Sequence, residues 1–283
     1  MHTFQTLPLA NGGHSALRGV EGGGQDDPVV VLLPAMGIPA GYYGPFLTAL
    51  AEHGVAAVTA DFPGQGESRP LAGRTVDYGY GHLAREFVPQ MLEAVGENFP
   101  GRPIVLDGHS LGGHVALAHL ALESVADVRG LVIIGSGAPY WRSYARPLRI
   151  LAQTQAIALV ARVRGHWPGH RLGFGGRQPR ALMREWAAFA RTGHLVPRGT
   201  KAAMTAGLAA LRLPVLIVDL DNDHLAPPRA VDALIGMIPG ASVERWTALR
   251  VPGSTARPMD HYTWARDPEG VADRVADWVR ARA

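Results

Sequence analysis

Cysteine is absent from the 283-residue chain, which excludes disulfides and every thiolate-based metal site. The absence is compatible with a reducing compartment, and a cytoplasmic location is the expectation. Lysine is nearly absent as well: Lys201 stands alone, and every other basic side chain is arginine. No apolar run reaches the roughly 18 residues that a membrane-crossing helix requires. The opening residues Met1-His2-Thr3-Phe4-Gln5 carry no basic segment followed by an apolar stretch, so no signal peptide is expected. Internal repeats and low-complexity tracts are also missing. Between Pro139 and Thr205 there is one acid, Glu185, against twelve basic residues; the remainder holds fifteen basic and twenty-three acidic ones. A GC-rich genome explains arginine in place of lysine, but not acids avoiding one segment.

Hydrophobic residues make up 47% of the chain, ample for a large core, and the length suits one α/β domain with a smaller insert. Residues 4–9 and 14–20 are expected to pair as opening strands. Val29–Leu33, Val55–Ala60, Arg102–Leu106, Gly130–Gly135, Pro214–Asp219 and Ser242–Trp246 read as further strands. The apolar run Val29–Leu33 has the character of a strand buried on both faces. Helices are expected over about Tyr42–His53, Val76–Asn98, Leu111–Leu122 and Pro268–Arg280, with Pro89 kinking or breaking the second. Strands alternating with helices predict an α/β fold, its sheet mostly parallel and covered on both faces.

Residues 139–208 break that alternation and read as a helical cap, with residues 1–138 and 209–283 as the core. Helical patterning runs over Leu148–Val163 and Arg180–Thr192, and Trp167–Gly176 between them is loop-like. The cap is rich in aromatic residues, of which Tyr140 and Trp141 are candidate substrate contacts. It is expected to lie over the carboxyl ends of the strands.

The centre of the chain is Gly108-His109-Ser110-Leu111-Gly112, a serine between an expected strand and an expected helix. Such a turn exposes the hydroxyl and places it at a helix N-terminus, whose N–H groups favour a developing oxyanion. A nucleophilic serine needs a base, and the base an orienting acid, here in the order serine, acid, histidine. Asp223, in Asp221-Asn222-Asp223-His224-Leu225-Ala226-Pro227, is the preferred acid and Asp221 the next. His261, 38 residues further on and just before the closing helix, is the candidate base. Leu111 and Met36 are the expected oxyanion donors, Met36 from the turn after Val29–Leu33. His109 beside the nucleophile is either a structural residue or a substrate contact. His114, His224 and His82 are expected to be packing or surface groups. No H-x-x-x-H pair stands beside a carboxylate, so neither metal nor cofactor is expected.

From about residue 28 onward the chain resembles the α/β-hydrolase superfamily. The resemblance rests on Gly108–Gly113, the loop Asp61-Phe62-Pro63-Gly64-Gln65-Gly66-Glu67-Ser68, the acid loop at 219–227, and His261. The turn Pro34-Ala35-Met36-Gly37 and the insert Trp167–Gly176 resemble a poorly characterised bacterial branch of predicted serine hydrolases. Pro34-Ala35 replaces the His-Gly turn common in the superfamily. The resemblance implies an eight-stranded sheet with a cap, and Ser110, Asp223 and His261 as a catalytic triad. The expected activity is hydrolysis of a carboxylic ester or thioester. Acyl transfer or cyclisation with the same triad is an alternative, and a non-catalytic ligand-binding protein is another. The expected partner is a small acyl compound, with a homodimer as the candidate assembly and no nucleic acid, since the arginines form no known binding module. The basic cap has two readings: it receives an anionic end of the substrate, or it docks on the acidic core.

Overall fold

Apolar runs without polar alternation make strands that have to be covered on both sides, and Val29–Leu33 and Ile104–His109 are buried at every position. The computed structural model describes residues 1–10, 12–123, 127–249 and 259–282. Its strands are β1 (His2–Pro8), β2 (His14–Val20), β3 (Val29–Leu33), β4 (Ala56–Thr59), β5 (Ile104–His109), β6 (Val128–Ile134), β7 (His166–Pro168), β8 (Arg177–Pro179), β9 (Pro214–Leu220) and β10 (Ser242–Ala248). Eight of them form one sheet in the order β1-β2-β4-β3-β5-β6-β9-β10, while β7 and β8 pair separately. β2 runs antiparallel to both β1 and β4, and every other pair in the large sheet is parallel. The expected mostly parallel, eight-stranded α/β sheet is what the chain forms.

The helices are α1 (Gly44–Glu52), α2 (Tyr80–His82), α3 (Val88–Asn98), α4 (Leu111–Leu122), α5 (Pro147–Arg164), α6 (Gly169–Leu172), α7 (Arg180–Thr192), α8 (Lys201–Ala210), α9 (Pro228–Ile235) and α10 (Glu269–Arg280). One face of the sheet packs Phe46, Leu47 and Leu50 of α1 with Trp264 and with Val275 and Trp278 of α10. The other packs Met91 of α3, Val115 of α4, Met204 and Leu208 of α8, and Val231 of α9. Each such large apolar side chain contributes roughly 1.5–3 kcal/mol by leaving water. Among the described residues no helix is long and apolar enough to cross a membrane.

Three expectations are corrected. The helix expected over Val76–Asn98 begins at Tyr80 and passes through a π-turn, Leu83–Phe87, before α3. Pro89 lacks an N–H and its ring crowds the carbonyl four residues back, so the wider turn accommodates it. The loop-like stretch Trp167–Gly176 is part of a compact unit: β7, the single turn α6, and a return into β8. Finally, α8 falls within the span expected of the cap yet packs on α4 of the core, where a Cβ on Gly207 would lie 1.9 Å from the Ala121 carbonyl oxygen. A helix is drawn to the sheet by whichever apolar stripe it carries, and Met204 and Leu208 supply one here.

The parallel register brings several strand ends to one edge. Leu33 pairs with Gly108, and His109 with Ile134, so the turn after β3, Ser110 after β5 and Gly135 after β6 emerge side by side. The end of β9 lies next to them, with Val218 paired to Ile134.

Candidate active site

Ser110 occupies the single residue between β5 and α4. Its φ of 53° and ψ of −111° make it the only non-glycine residue with positive φ among those described. Strain of this kind, about 1–3 kcal/mol, persists only where the surroundings enforce it. They do so here through close backbone packing: a Cβ on Gly112 would lie 1.9 Å from the Leu33 carbonyl oxygen. The Ser110 N–H donates to Ile134 O at 3.1 Å, and its carbonyl accepts from Ser136 Oγ at 2.7 Å and the Gly113 N–H at 3.0 Å. With the backbone tied down on both sides, the hydroxyl is left to point off the turn.

It points at His261, whose Nε2 lies 3.0 Å from Ser110 Oγ. The other ring nitrogen, Nδ1, is 2.7 Å from Asp223 Oδ2. The second carboxylate oxygen accepts the N–H groups of Leu225 at 2.8 Å and Ala226 at 3.0 Å. Asp223 and His261 are both buried, at 7% and 6% exposure, so their pairing is little diluted by water. Two other acids near the end of β9 do not pair with the ring: Asp221, on the loop that follows, is exposed, and Asp219, on the strand, pairs with Arg245.

The turn after β3 presents three successive N–H groups. That of Ala35 donates to Tyr43 Oη at 2.8 Å, and that of Gly37 to Gln65 Oε1 at 2.8 Å. The N–H of Met36 between them has no partner among the described residues, and neither has that of Leu111 at the start of α4. Both residues line the cavity into which Ser110 and His261 open. Two unengaged donors beside a hydroxyl are what an oxyanion-binding arrangement requires.

The cavity measures about 580 Å³, within the ordinary range for small-molecule sites. Its walls come largely from the insert, through Ile150, Ile157 and Val160 of α5 together with Trp167, Phe174 and Trp186. Tyr144, Gln153, Thr154 and Tyr262 add polar groups that the sequence did not single out, and His224, read there as a packing or surface group, lines the cavity as well. Among the described residues no lysine, arginine, aspartate or glutamate lines it. The lining therefore offers an anionic substrate end no cationic partner. Most of the cap's arginines are exposed; Arg177 is half-buried and donates to the Ala72 carbonyl of the core, and among the described residues only Arg180 joins the core through an ion pair, with Asp77.

The three residues expected to contact substrate lie outside the cavity lining. Tyr140 packs against Gly193, and Trp141 is covered by the Arg142 guanidinium at 4.8 Å. His109 is fully buried beneath the site: Nδ1 is 2.8 Å from Tyr43 Oη, Nε2 accepts the Trp264 indole N–H at 3.3 Å, and the ring centre lies 4.9 Å from that of His261. Burial, reinforced by the neighbouring His261, holds its pKa well below the ordinary histidine value, so it backs the site as a neutral ring.

His114 is buried on α4, bonded to Tyr80 Oη at 3.2 Å and Gly137 O at 3.0 Å. Burial pushes its pKa down to about 4 from 6.5. Between those values the unfolded chain takes up a proton that the folded chain refuses, so stability falls as pH drops through that window. This residue alone contributes about 3 kcal/mol to the loss. Urea unfolding at pH 7 and pH 4 should therefore show a smaller difference in His114→Gln than in the wild type; equal differences would contradict a neutral buried ring.

A sequence model of the alpha/beta hydrolase family matches residues 30–274, and the chain belongs to that family. Over 261 residues it is 30% identical to the polyketide synthase ThaQ of Burkholderia thailandensis; the match covers 86% of this chain but only 12% of that relative's length. The esterase EaEST from Exiguobacterium antarcticum has a similar structure, with a TM-score of 0.61, 20% identity and 99% of each chain covered. A thioesterase domain from the curacin biosynthetic pathway superposes with a TM-score of 0.56 at 17% identity over 97% of each chain. At these identities the two structures speak to the fold alone.

Proposed function

We propose that the chain is a serine hydrolase that cleaves an uncharged, apolar carboxylic ester through an acyl-enzyme. The observation that carries this reading is the continuous hydrogen-bonded line Ser110–His261–Asp223, with links of 3.0 and 2.7 Å. Ser110 Oγ attacks the ester carbonyl while His261 Nε2 takes its proton. Asp223 holds the imidazolium that forms, and its own position is fixed by the Leu225 and Ala226 N–H groups. The carbonyl oxygen, now negative, accepts from the N–H groups of Leu111 and Met36. His261 returns the proton to the departing alcohol, leaving an acyl group on Ser110. Water then attacks the acyl carbonyl, giving its proton to His261, and the acid leaves as Ser110 recovers its hydrogen.

The cavity supports the substrate class. Aliphatic and aromatic walls around an uncharged interior favour an apolar acyl chain, and a charged end placed there would lose its hydration without a partner. A thioester is the second reading, favoured by the match to a span of a polyketide synthase. Both substrates would use the same residues.

A fluorophosphonate probe followed by a panel of p-nitrophenyl esters and matched CoA thioesters tests the proposal. Labelling at Ser110 is expected, with kcat/KM rising as the acyl chain lengthens until the cavity is filled. The absence of labelling in folded protein would sink the reading and favour a non-catalytic binding protein. The ratio of ester to thioester turnover decides between the two substrate classes, and ester product formed with an added alcohol would reveal acyl transfer.

A further inference from the structure

The Met36 donor sits on a turn that has to be held in place, and the support comes from the cap. Gly37 N–H donates to Gln65 Oε1 at 2.8 Å; Gln65 Nε2 donates to Gln178 Oε1 at 3.1 Å; Gln178 Nε2 donates to Gly175 O at 2.6 Å. Gln65 lies in the loop after β4, and Gln178 on β8 of the insert. Both are buried, at 5% and 0% exposure. The ends of this chain fix every orientation within it. A backbone N–H can only donate, so Gln65 must present its oxygen to Gly37. Its amide nitrogen then faces Gln178, which must present oxygen in turn, leaving its own nitrogen for Gly175 O, which can only accept.

Close packing accompanies the relay. A Cβ on Gly37 would lie 2.4 Å from the Gly175 carbonyl carbon, and one on Gly175 would lie 2.9 Å from Met36 Sδ. The insert thus touches the Pro34–Gly37 turn both through this amide chain and through backbone contact, immediately beside the unengaged Met36 N–H.

We propose, building on the hydrolase reading above, that Gln65 and Gln178 are positioning residues: they lock the turn after β3 against the cap and so aim the Met36 N–H at the oxyanion. The insert then has two duties. It walls the acyl cavity, and it completes the geometry of the chemical step. Breaking the relay lets the turn relax without removing any group that touches substrate, so the penalty falls on the transition state and spares substrate binding.

Kinetics on p-nitrophenyl acetate, a substrate too short to read the cavity walls, test this. Rates are counted per active site, titrated by fluorophosphonate. Gln65→Met and Gln178→Met, which keep length and remove polarity, should each lower kcat about tenfold with KM within about twofold, a smaller loss than removal of a donor. Gln178→Glu keeps the acceptor for Gln65 and loses the donor to Gly175, so its kcat at neutral pH should fall similarly. The double Met variant should lose no more than the worse single one, because both residues act through one chain. Gln178→Ala, which cannot overfill the site, gives the same readout if methionine disturbs folding. Unchanged kcat per titrated site in the folded variants, or a loss confined to KM, would overturn the proposal. Wild-type protein that fails to be labelled at Ser110 would overturn the hydrolase reading and this inference with it, whereas normal labelling with unaffected variants would overturn the relay alone.

Discussion

Ser110→Ala is expected to lower kcat for p-nitrophenyl ester hydrolysis by about six orders of magnitude, the scale seen when a triad nucleophile is removed. In the proposed mechanism the hydroxyl forms the covalent bond, from its place 3.0 Å from His261 Nε2. What remains should be the slow attack of water assisted by the two oxyanion donors. The fold should survive: the backbone of residue 110 is held through its N–H and carbonyl, which alanine retains, and alanine meets the same positive φ as serine. Equal far-ultraviolet circular dichroism and an unfolding midpoint close to the wild type would confirm that only chemistry is lost. Residual activity above about one percent would mean that another group is the nucleophile.

Asp223→Asn should cost about 10⁴-fold in kcat at neutral pH. The reason lies in the two backbone donors on Oδ1. The N–H groups of Leu225 and Ala226 will hold the amide oxygen where Oδ1 now is, which turns the amide nitrogen toward His261 Nδ1. An N–H there needs an acceptor, so the ring is driven to the tautomer with its proton on Nε2. That nitrogen can then no longer accept the Ser110 proton. Asp221→Asn, changing an exposed carboxylate on the same loop, should leave kcat within about twofold. Comparison of kcat/KM for the two variants against one ester checks both statements, and similar losses in the two would remove Asp223 from the role.

The features that could be read from the sequence were those fixed by local rules. Gly108–Gly112 announces a strand–turn–helix elbow because its glycines are demanded by backbone packing, and the buried strands announce themselves by unbroken apolar runs. The order of serine, acid and histidine narrowed the partners to a loop aspartate and a loop histidine, and the coordinates bring Asp223 and His261 to Ser110. What stayed hidden depends on which surfaces meet. Helix α5 carries apolar residues on both sides: Ile150, Ile157 and Val160 face the cavity while Leu148, Leu159 and Val163 are exposed, so periodicity could not say which formed a wall. Tyr140 and Trp141 looked like substrate contacts from composition alone, and Gln65 and Gln178 looked like nothing, because a hydrogen bond spanning 113 residues leaves no local trace. The charge of the insert could be counted in advance, but whether it faced inward was decided by packing.

The left-handed backbone at residue 110 carries a consequence for how this enzyme can be made more durable. Glycine at that position would relieve the distortion at no steric expense, and a chain selected for persistence alone would choose it. The proposed mechanism nevertheless requires a serine there. On that reading, resistance to heat and the ability to turn over substrate compete at a single residue, and any hardening of the protein has to be sought elsewhere in the molecule.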